Sequence, residues 1–344
     1  MAASSLITPA SADDTMQAKT QKSTVDADGA IHFPAFTMPF SSLASEEAKR
    51  NFLESKKTTI QSWEEKLKRI TKQRIEAFPA TIRPQMIGGV QTNVIIPGGG
   101  IATKNTKRVL INLHSGGFIS GTASDNGLLE SVPIASLGRI KIVTVGYRHG
   151  PEHQFPAASE DVAAVYKELL KQYRAENIGI YGCSAGGILT AEAVAWFQMH
   201  QLPRPGAAGI FGAGAMSATR GDLLYLALAQ SGGMDTEAPL PPRGTHVMDP
   251  YFGSSDIKDP MASPVYWPAI LAKFPPTLVI TSTRDVEGSD AIYTHTQLVK
   301  ASVDADLHVW EGMGHCFFNY DADEPESREA YDVIVKFFDK HLGK

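Results

Sequence analysis

From residue 108 onward, short runs of consecutive apolar residues alternate with longer amphipathic stretches. The runs are Arg108–Leu113, Ile140–Val145, Ile178–Tyr181, Ala208–Phe211, Thr277–Thr281 and Asp306–Trp310. Each has the length of a strand, and Ile178–Tyr181 has the composition of a buried one. Between most of them lie segments of helical period, at about 126–137, 157–174, 185–200, 289–303 and 326–341. Apolar strands alternating with helices predict a parallel sheet covered on both sides, an α/β fold.

Upstream, Val90–Ile96 reads as part of a peripheral antiparallel pair, and residues 98–106 as a turn. From Ser45 the pattern is helical. Phe52, Ile60, Trp63, Leu67 and Ile70 recur at roughly helical spacing to about Ile75, and Ser45-Glu46-Glu47 suits a helix N-terminus. Residues 31–80 therefore read as N-terminal cap helices on a core of residues 81–344. Residues 1–30 are small and polar without periodicity, and are expected to form a flexible tail. Residues 216–266 separate two strands and contain a helical stretch, Gly221–Gln230, and the Pro-rich Pro239–Pro242. That segment is expected to be a cap insertion, since long inserts of this kind are usually lids.

Composition narrows the function classes. The 344 residues suffice for a large core, and the net charge of −5 with no basic run argues against nucleic acid as a partner. No 18-residue apolar segment can span a membrane. Two cysteines, Cys183 and Cys316, exclude a disulfide scaffold and a cysteine-based metal site. His149 and His153 stand four apart, but Gly150-Pro151 breaks any helix between them, so no metal is expected there. The first twelve residues end in an A-x-A-like pattern but lack a basic region and an apolar core. A cytoplasmic chain is expected, with a truncated export signal as the alternative. Self-association as a homodimer is left open.

The chemistry gathers at the ends of strands. Ile178–Tyr181 runs into Gly182-Cys183-Ser184-Ala185-Gly186 and then into a helix-forming stretch. A serine on so tight a turn takes strained backbone angles, and glycines two residues either side leave room for it. Its hydroxyl would stand at the positive end of a helix, where negative charge can develop. The strand at 108–113 ends in His114-Ser-Gly-Gly-Phe118, whose backbone N–H groups could hold an oxyanion. The donors would be Gly116, Gly117 and Ala185, with His114 supporting the loop. Asp285 follows the strand at 277–281, with Glu287 and Asp290 as competitors further along. His315 lies in a Gly-rich loop beyond the strand at 306–310. The order Ser184, Asp285, His315 is that of α/β-hydrolase enzymes.

With these residues in place, the chain resembles the hormone-sensitive-lipase-like esterases of the α/β-hydrolase fold. His114-Ser-Gly-Gly-Phe118 stands for their H-G-G-G and Gly182-Cys-Ser-Ala-Gly-Gly187 for their G-D-S-A-G-G. Tyr147-Arg-His-Gly-Pro-Glu-His-Gln-Phe-Pro-Ala-Ala158 is similar to their Y-R-x-A-P-E-H-x-F-P-A-A, and Asp259-Pro-Met-Ala-Ser-Pro264 to their D-P-x-x-S-P. The match covers about residues 105–344. The chain departs at two positions: Ser115 replaces a glycine and Cys183 replaces an acid.

The resemblance implies a mostly parallel central sheet with a helical cap, and a Ser184–His315–Asp285 triad hydrolysing short- to medium-chain acyl esters through an acyl-enzyme. It implies no cofactor, and a small-molecule ester as the only partner. The alternatives are cleavage of amide, carbamate or lactone bonds, and a ligand-binding homologue like the plant hormone receptors of this family. Those receptors have lost the base histidine, whereas His315 is present.

Overall fold

In a computed structural model of the chain, the structure describes residues 22–27, 29–34, 37–57, 60–218, 221–231, 249–320 and 322–343. The expected Pro239–Pro242 segment and most of the expected tail lie outside these residues, as do the side chains of Ile60 and Trp63.

The alternating runs become eight strands of one sheet. These are β1 (Ala80–Ile87), β2 (Val90–Pro97), β3 (Val109–Leu113), β4 (Lys141–Val145), β5 (Ile178–Cys183), β6 (Ala207–Phe211), β7 (Thr277–Arg284) and β8 (Ala305–Gly314). Their order is β8-β7-β6-β5-β3-β4-β2-β1. Pairing is parallel from β4 through β8 and antiparallel where β2 meets β1 and β4. Every residue of β3, β5 and β6 is buried, as strands sandwiched between helical layers must be.

The longer helices are α1 (Glu46–Ser55), α2 (Ile60–Ala77), α3 (Asn126–Gly138), α4 (Ala157–Leu169), α5 (Ala185–Met199), α6 (Asp222–Ser231), α7 (Gly288–Lys300) and α8 (Pro325–His341), with single turns at Asp249–Phe252 and Pro268–Leu271. The period-two alternation of the strands divides the core. Ile111, Ile180 and Val279 pack with residues of α4, α5 and α7, whereas Leu110, Tyr181 and Leu278 pack with residues of α3 and α8. Side chains so fully buried contribute roughly 1.5–3 kcal/mol each.

Two boundaries differ from the sequence expectation in ways that matter. β7 and β8 run on to Arg284 and Gly314, so each strand stops directly before a candidate site residue. On β8 the register shifts between Trp310 and Gly314, so that Gly314 lies opposite Arg284. A bulge of this kind re-aims the side chains just beyond it. Asp285 and His315 thus leave the sheet side by side.

The helical stretch from Ser45 forms two helices, α1 and α2. Ser45 caps the first: its Oγ accepts from the Ala48 N–H at 3.1 Å and donates to Glu326 at 2.9 Å. Its own N–H donates to Glu326 at 2.7 Å, which ties α1 to the start of α8. Arg74, buried on α2, donates to the carbonyl of Asn319 at 3.0 Å, in the turn beyond His315.

The described residues from 22 to 40 belong to a separate unit. In it Thr24–Val25 and Ile31–His32 pair as a short antiparallel hairpin, closed by Asp26 N–H to Ala30 carbonyl and Gly29 N–H to Asp26 carbonyl bonds. That hairpin crosses the boundary expected at residue 30, because the Asp-to-Gly turn brings the two flanking segments together.

Candidate active site

The elbow has the geometry its sequence demands. Ser184 sits between β5 and α5 with φ 57° and ψ −126°, a conformation that costs a non-glycine residue of order 1–3 kcal/mol. It is held there by its N–H donating to the Phe211 carbonyl at 2.8 Å, while its carbonyl receives the Gly187 and Ile188 N–H groups at the start of α5. A Cβ on Gly186 would fall 1.8 Å from the Leu113 carbonyl oxygen, and one on Gly182 2.4 Å from the same atom. The glycines are there because the elbow lies directly against the end of β3. The nucleophile turn and the loop after β3 are therefore neighbours.

That loop is pinned from behind. Gly116 has φ +136°, and a Cβ there would meet the Ser120 carbonyl oxygen at 2.0 Å. Among the described residues no hydrogen bond takes up the N–H groups of Gly116, Gly117 or Ala185, the three expected oxyanion donors. The Ser115 hydroxyl accepts from Asn126 Nδ2 at 3.0 Å, and the Ser115 N–H donates to Glu130 at 2.8 Å. His114 is buried, with Nδ1 2.8 Å from the Ser115 carbonyl and its ring stacked on Tyr147. Burial pushes His114 down to about 4, so it is a neutral support rather than a charge.

Glu130 is a component that sequence reasoning missed. It lies buried on α3, with one oxygen receiving Asn112 Nδ2 at 3.0 Å and the other the Ser115 N–H. Burial pushes its carboxyl up to about 7, against the opposing pull of those donors. The one available signal was an acid inside an apolar helical stretch, which alone does not locate a site.

Asp285, not Glu287 or Asp290, meets the histidine: Oδ1 lies 2.6 Å from His315 Nδ1. Asp285 is fully buried and also accepts from the Glu287 N–H at 2.9 Å and the Thr281 hydroxyl at 3.0 Å. Burial alone would raise its carboxyl, but the adjacent imidazole and these donors outweigh that and hold it below the usual carboxylate value. On His315 burial likewise works against charge, and the Asp285 carboxylate, with Glu287 behind it, overrides burial and raises the imidazole above its ordinary value. Asp285 and His315 are thus brought together. The Ser184 hydroxyl makes no hydrogen bond to His315 among the described residues.

A covalent link joins the two halves instead. Cys183 and Cys316, the chain neighbours of Ser184 and His315, form a disulfide of 2.00 Å with their Cα atoms 6.4 Å apart. The sequence reading, which took two cysteines as excluding a disulfide scaffold, did not foresee that they pair with each other. Each cysteine flanks a triad candidate, and only the fold shows that they meet. A cavity of about 1010 Å³ opens beside His315, lined among others by Phe52, Ile70 and Arg69 of α1 and α2 and by Arg284 and Met313.

Residues 110–319 match the model of a family described by the alpha/beta hydrolase fold. The chain belongs to that family. It is 28% identical over 238 residues to an acetyl-hydrolase of Streptomyces hygroscopicus, covering 69% of this chain and 77% of that one. Among solved structures, that of an esterase called E25 superposes with a TM-score of 0.75 at 26% identity, over 90% of this chain and 98% of that one. An esterase of the bacterial hormone-sensitive lipase family gives a TM-score of 0.73 at 25% identity, over 87% and 99%. The mostly parallel eight-stranded sheet with flanking helices is that of the α/β hydrolase fold, and this family member is hormone-sensitive-lipase-like.

Proposed function

We propose that the chain is a carboxylesterase-type serine hydrolase acting on short- to medium-chain acyl esters. The observation that carries the reading is the Asp285–His315 pair at 2.6 Å, set at the strand edge where Ser184 stands on its strained elbow. His315 Nε2 takes the proton as Ser184 Oγ attacks the ester carbonyl, and Asp285 holds the imidazole in orientation and stabilises its charge. The unclaimed N–H groups of Gly116, Gly117 and Ala185 would receive the oxyanion. His315 then gives its proton to the departing alcohol, and a water, activated by the same base, releases the acid.

The acetyl-hydrolase and the two esterases to which the chain is similar support an ester as substrate. Helices α1 and α2 and the 216–266 insert would form the cap that shapes the pocket, as their contribution to the cavity beside His315 suggests. Cytoplasmic location belongs to the same proposal; no described helix is long and apolar enough to cross a membrane. The retention of both His315 and its carboxylate favours an enzyme over a ligand-binding homologue.

The test is a panel of p-nitrophenyl esters of increasing acyl length, run on wild type and Ser184→Ala. Hydrolysis should be greatest on the short chains, and Ser184→Ala should lose on the order of 10⁴-fold or more. An organophosphate should label Ser184 stoichiometrically. Full activity in Ser184→Ala, or a label on another residue, refutes the assignment.

A further inference from the structure

The disulfide joins the chain neighbours of two triad candidates. Cys183 is the last residue of β5, paired in register with Phe211, so its backbone is fixed by the sheet. Cys316 lies outside the sheet, in the turn after β8, and has φ +49°, a left-handed conformation uncommon for a residue with a side chain. Both are buried, at 1% and 4% exposure. The Sγ of Cys316 lies 3.8 Å from Nε2 of His315, the atom that would take the serine proton. A Cβ on Gly212 would come 2.8 Å from that sulfur and 3.3 Å from both Asp285 Oδ2 and His315 Cε1. The bond, the base and its carboxylate therefore form one packed group.

The imidazole ring is held at Nδ1 by Asp285, and the turn behind it by the Ser282 hydroxyl on the Gly314 carbonyl, the Asn319 N–H on the Cys316 carbonyl and Arg74 on the Asn319 carbonyl. The nucleophile is fixed by β5, β6 and α5. A bond between their chain neighbours, 133 residues apart in the chain, is the one covalent tie between the strand that carries the nucleophile and the turn that carries the base.

We infer that Cys183 and Cys316 are positioning residues of the triad, acting through their disulfide to hold His315 in reach of Ser184, so that reduction lowers turnover reversibly. The inference rests on the esterase reading above. A small dithiol supplies the reaction: its two thiols give up two electrons and two protons and close to a cyclic disulfide, while the protein S–S bond opens to two thiols. In a reducing cytoplasm the bond would open and close with the thiol poise; in an oxidising compartment it would stay closed.

The experiment compares oxidised wild type, wild type reduced with dithiothreitol, Cys183→Ala, Cys316→Ala and the double variant on one short-chain p-nitrophenyl ester. Thiols are counted by alkylation and mass spectrometry, and the fold is checked by near-ultraviolet circular dichroism at the assay temperature. The expected result is a fall in kcat of about 10–100-fold with KM within about threefold, as for a misplacement of the order of 1 Å. The two single variants and the double should lose the same factor, because each removes one shared bond, and none should respond to dithiothreitol. Reoxidation of wild type should restore kcat.

Wild type that keeps its rate within twofold after quantitative reduction overturns the inference, as does a faster reduced enzyme. Additive losses in the double variant overturn it too, as do two free thiols in the protein purified without reductant. Should the variants lose their near-ultraviolet signal, the reduced wild type decides. An oxidised enzyme that hydrolyses no ester and leaves Ser184 unlabelled by organophosphate refutes the esterase reading itself, and the inference with it.

Discussion

Glu130 offers a quantitative check on how the oxyanion loop is supported. Burial raises its carboxyl to about 7 from 4.5, and the side chain is only 2% exposed. The folded protein therefore binds a proton that the unfolded chain has released, at every pH between those values. Stability from this group is fully present below pH 4.5 and is lost as the pH rises through about 7. At about 1.4 kcal/mol per pH unit, the loss amounts to about 3 kcal/mol. Glu130→Gln cannot ionise, so it escapes the loss.

The variant's own cost, independent of pH, should be small. Its amide can present oxygen to the Ser115 N–H and nitrogen to Asn112, which need only turn its amide to offer Oδ1, an atom buried without a partner among the described residues. Urea unfolding of both proteins at pH 4.5, 6 and 8 gives the difference between them, from which all common titrations cancel. That difference should move in the variant's favour by about 3 kcal/mol across the range. A difference constant to about 0.5 kcal/mol would show that Glu130 is not a buried carboxyl in the folded state.

The remaining predictions concern the triad, the loop and the cap. Since His315 is raised above its ordinary value and must be neutral to act, kcat/KM should fall on acidification with a midpoint above ~6.5; a midpoint below that value refutes the pairing with Asp285. Asp285→Asn removes the charge that raises it, so kcat should drop by up to about 10⁴ while the acid limb moves to lower pH; an unmoved limb would mean another group titrates. Ser115→Gly loses only the hydroxyl contact to Asn126 and should change kcat less than about tenfold, whereas Gly116→Pro deletes an oxyanion donor and should lose at least about 10²–10³. Equal damage in two folded variants would make the Ser115 hydroxyl part of the catalytic machinery. Ser45→Ala should cost about 1 kcal/mol in unfolding free energy by uncapping α1; no change would mean that the Glu326 contact holds the helix alone.

The sequence made legible those features that depend on short-range pattern. Apolar runs of strand length located the inner parallel strands, because strands buried on both faces must be apolar throughout, while the edge strand β8 is half-exposed and showed only as a mixed run. The placing of Asp285 and His315 at strand ends could be read because the ends of parallel strands share one edge. How closely they would approach could not, since it depends on the two-residue register shift between Trp310 and Gly314, which leaves no periodic signature. Where the N-terminal cap helices part, after Ser55, was not legible, because two consecutive amphipathic helices carry the same period as one. Glu130 was illegible for a different reason: its role comes from lying across from Asn112 and beneath Ser115, and pattern reading assigns an isolated acid to the surface.

The two departures from the family pattern obey one physical rule. Backbone N–H groups need only correct dihedral angles, so a motif that uses them tolerates side-chain replacement wherever a new partner can be found. Ser115 found one eleven positions away, where Asn126 at the start of α3 bonds both its hydroxyl and its carbonyl. Cys183 found one 133 positions away, in the turn that carries the base. In the first case the added group stiffens a loop whose donors are already aligned, and deleting it should matter little. In the second the added bond joins the two residues whose separation sets the proton transfer, and the acid that it replaces could have offered only a polar contact. A substitution inside a catalytic motif is therefore best judged by which part its new partner belongs to, and the partner of Cys183 belongs to the turn that carries the base.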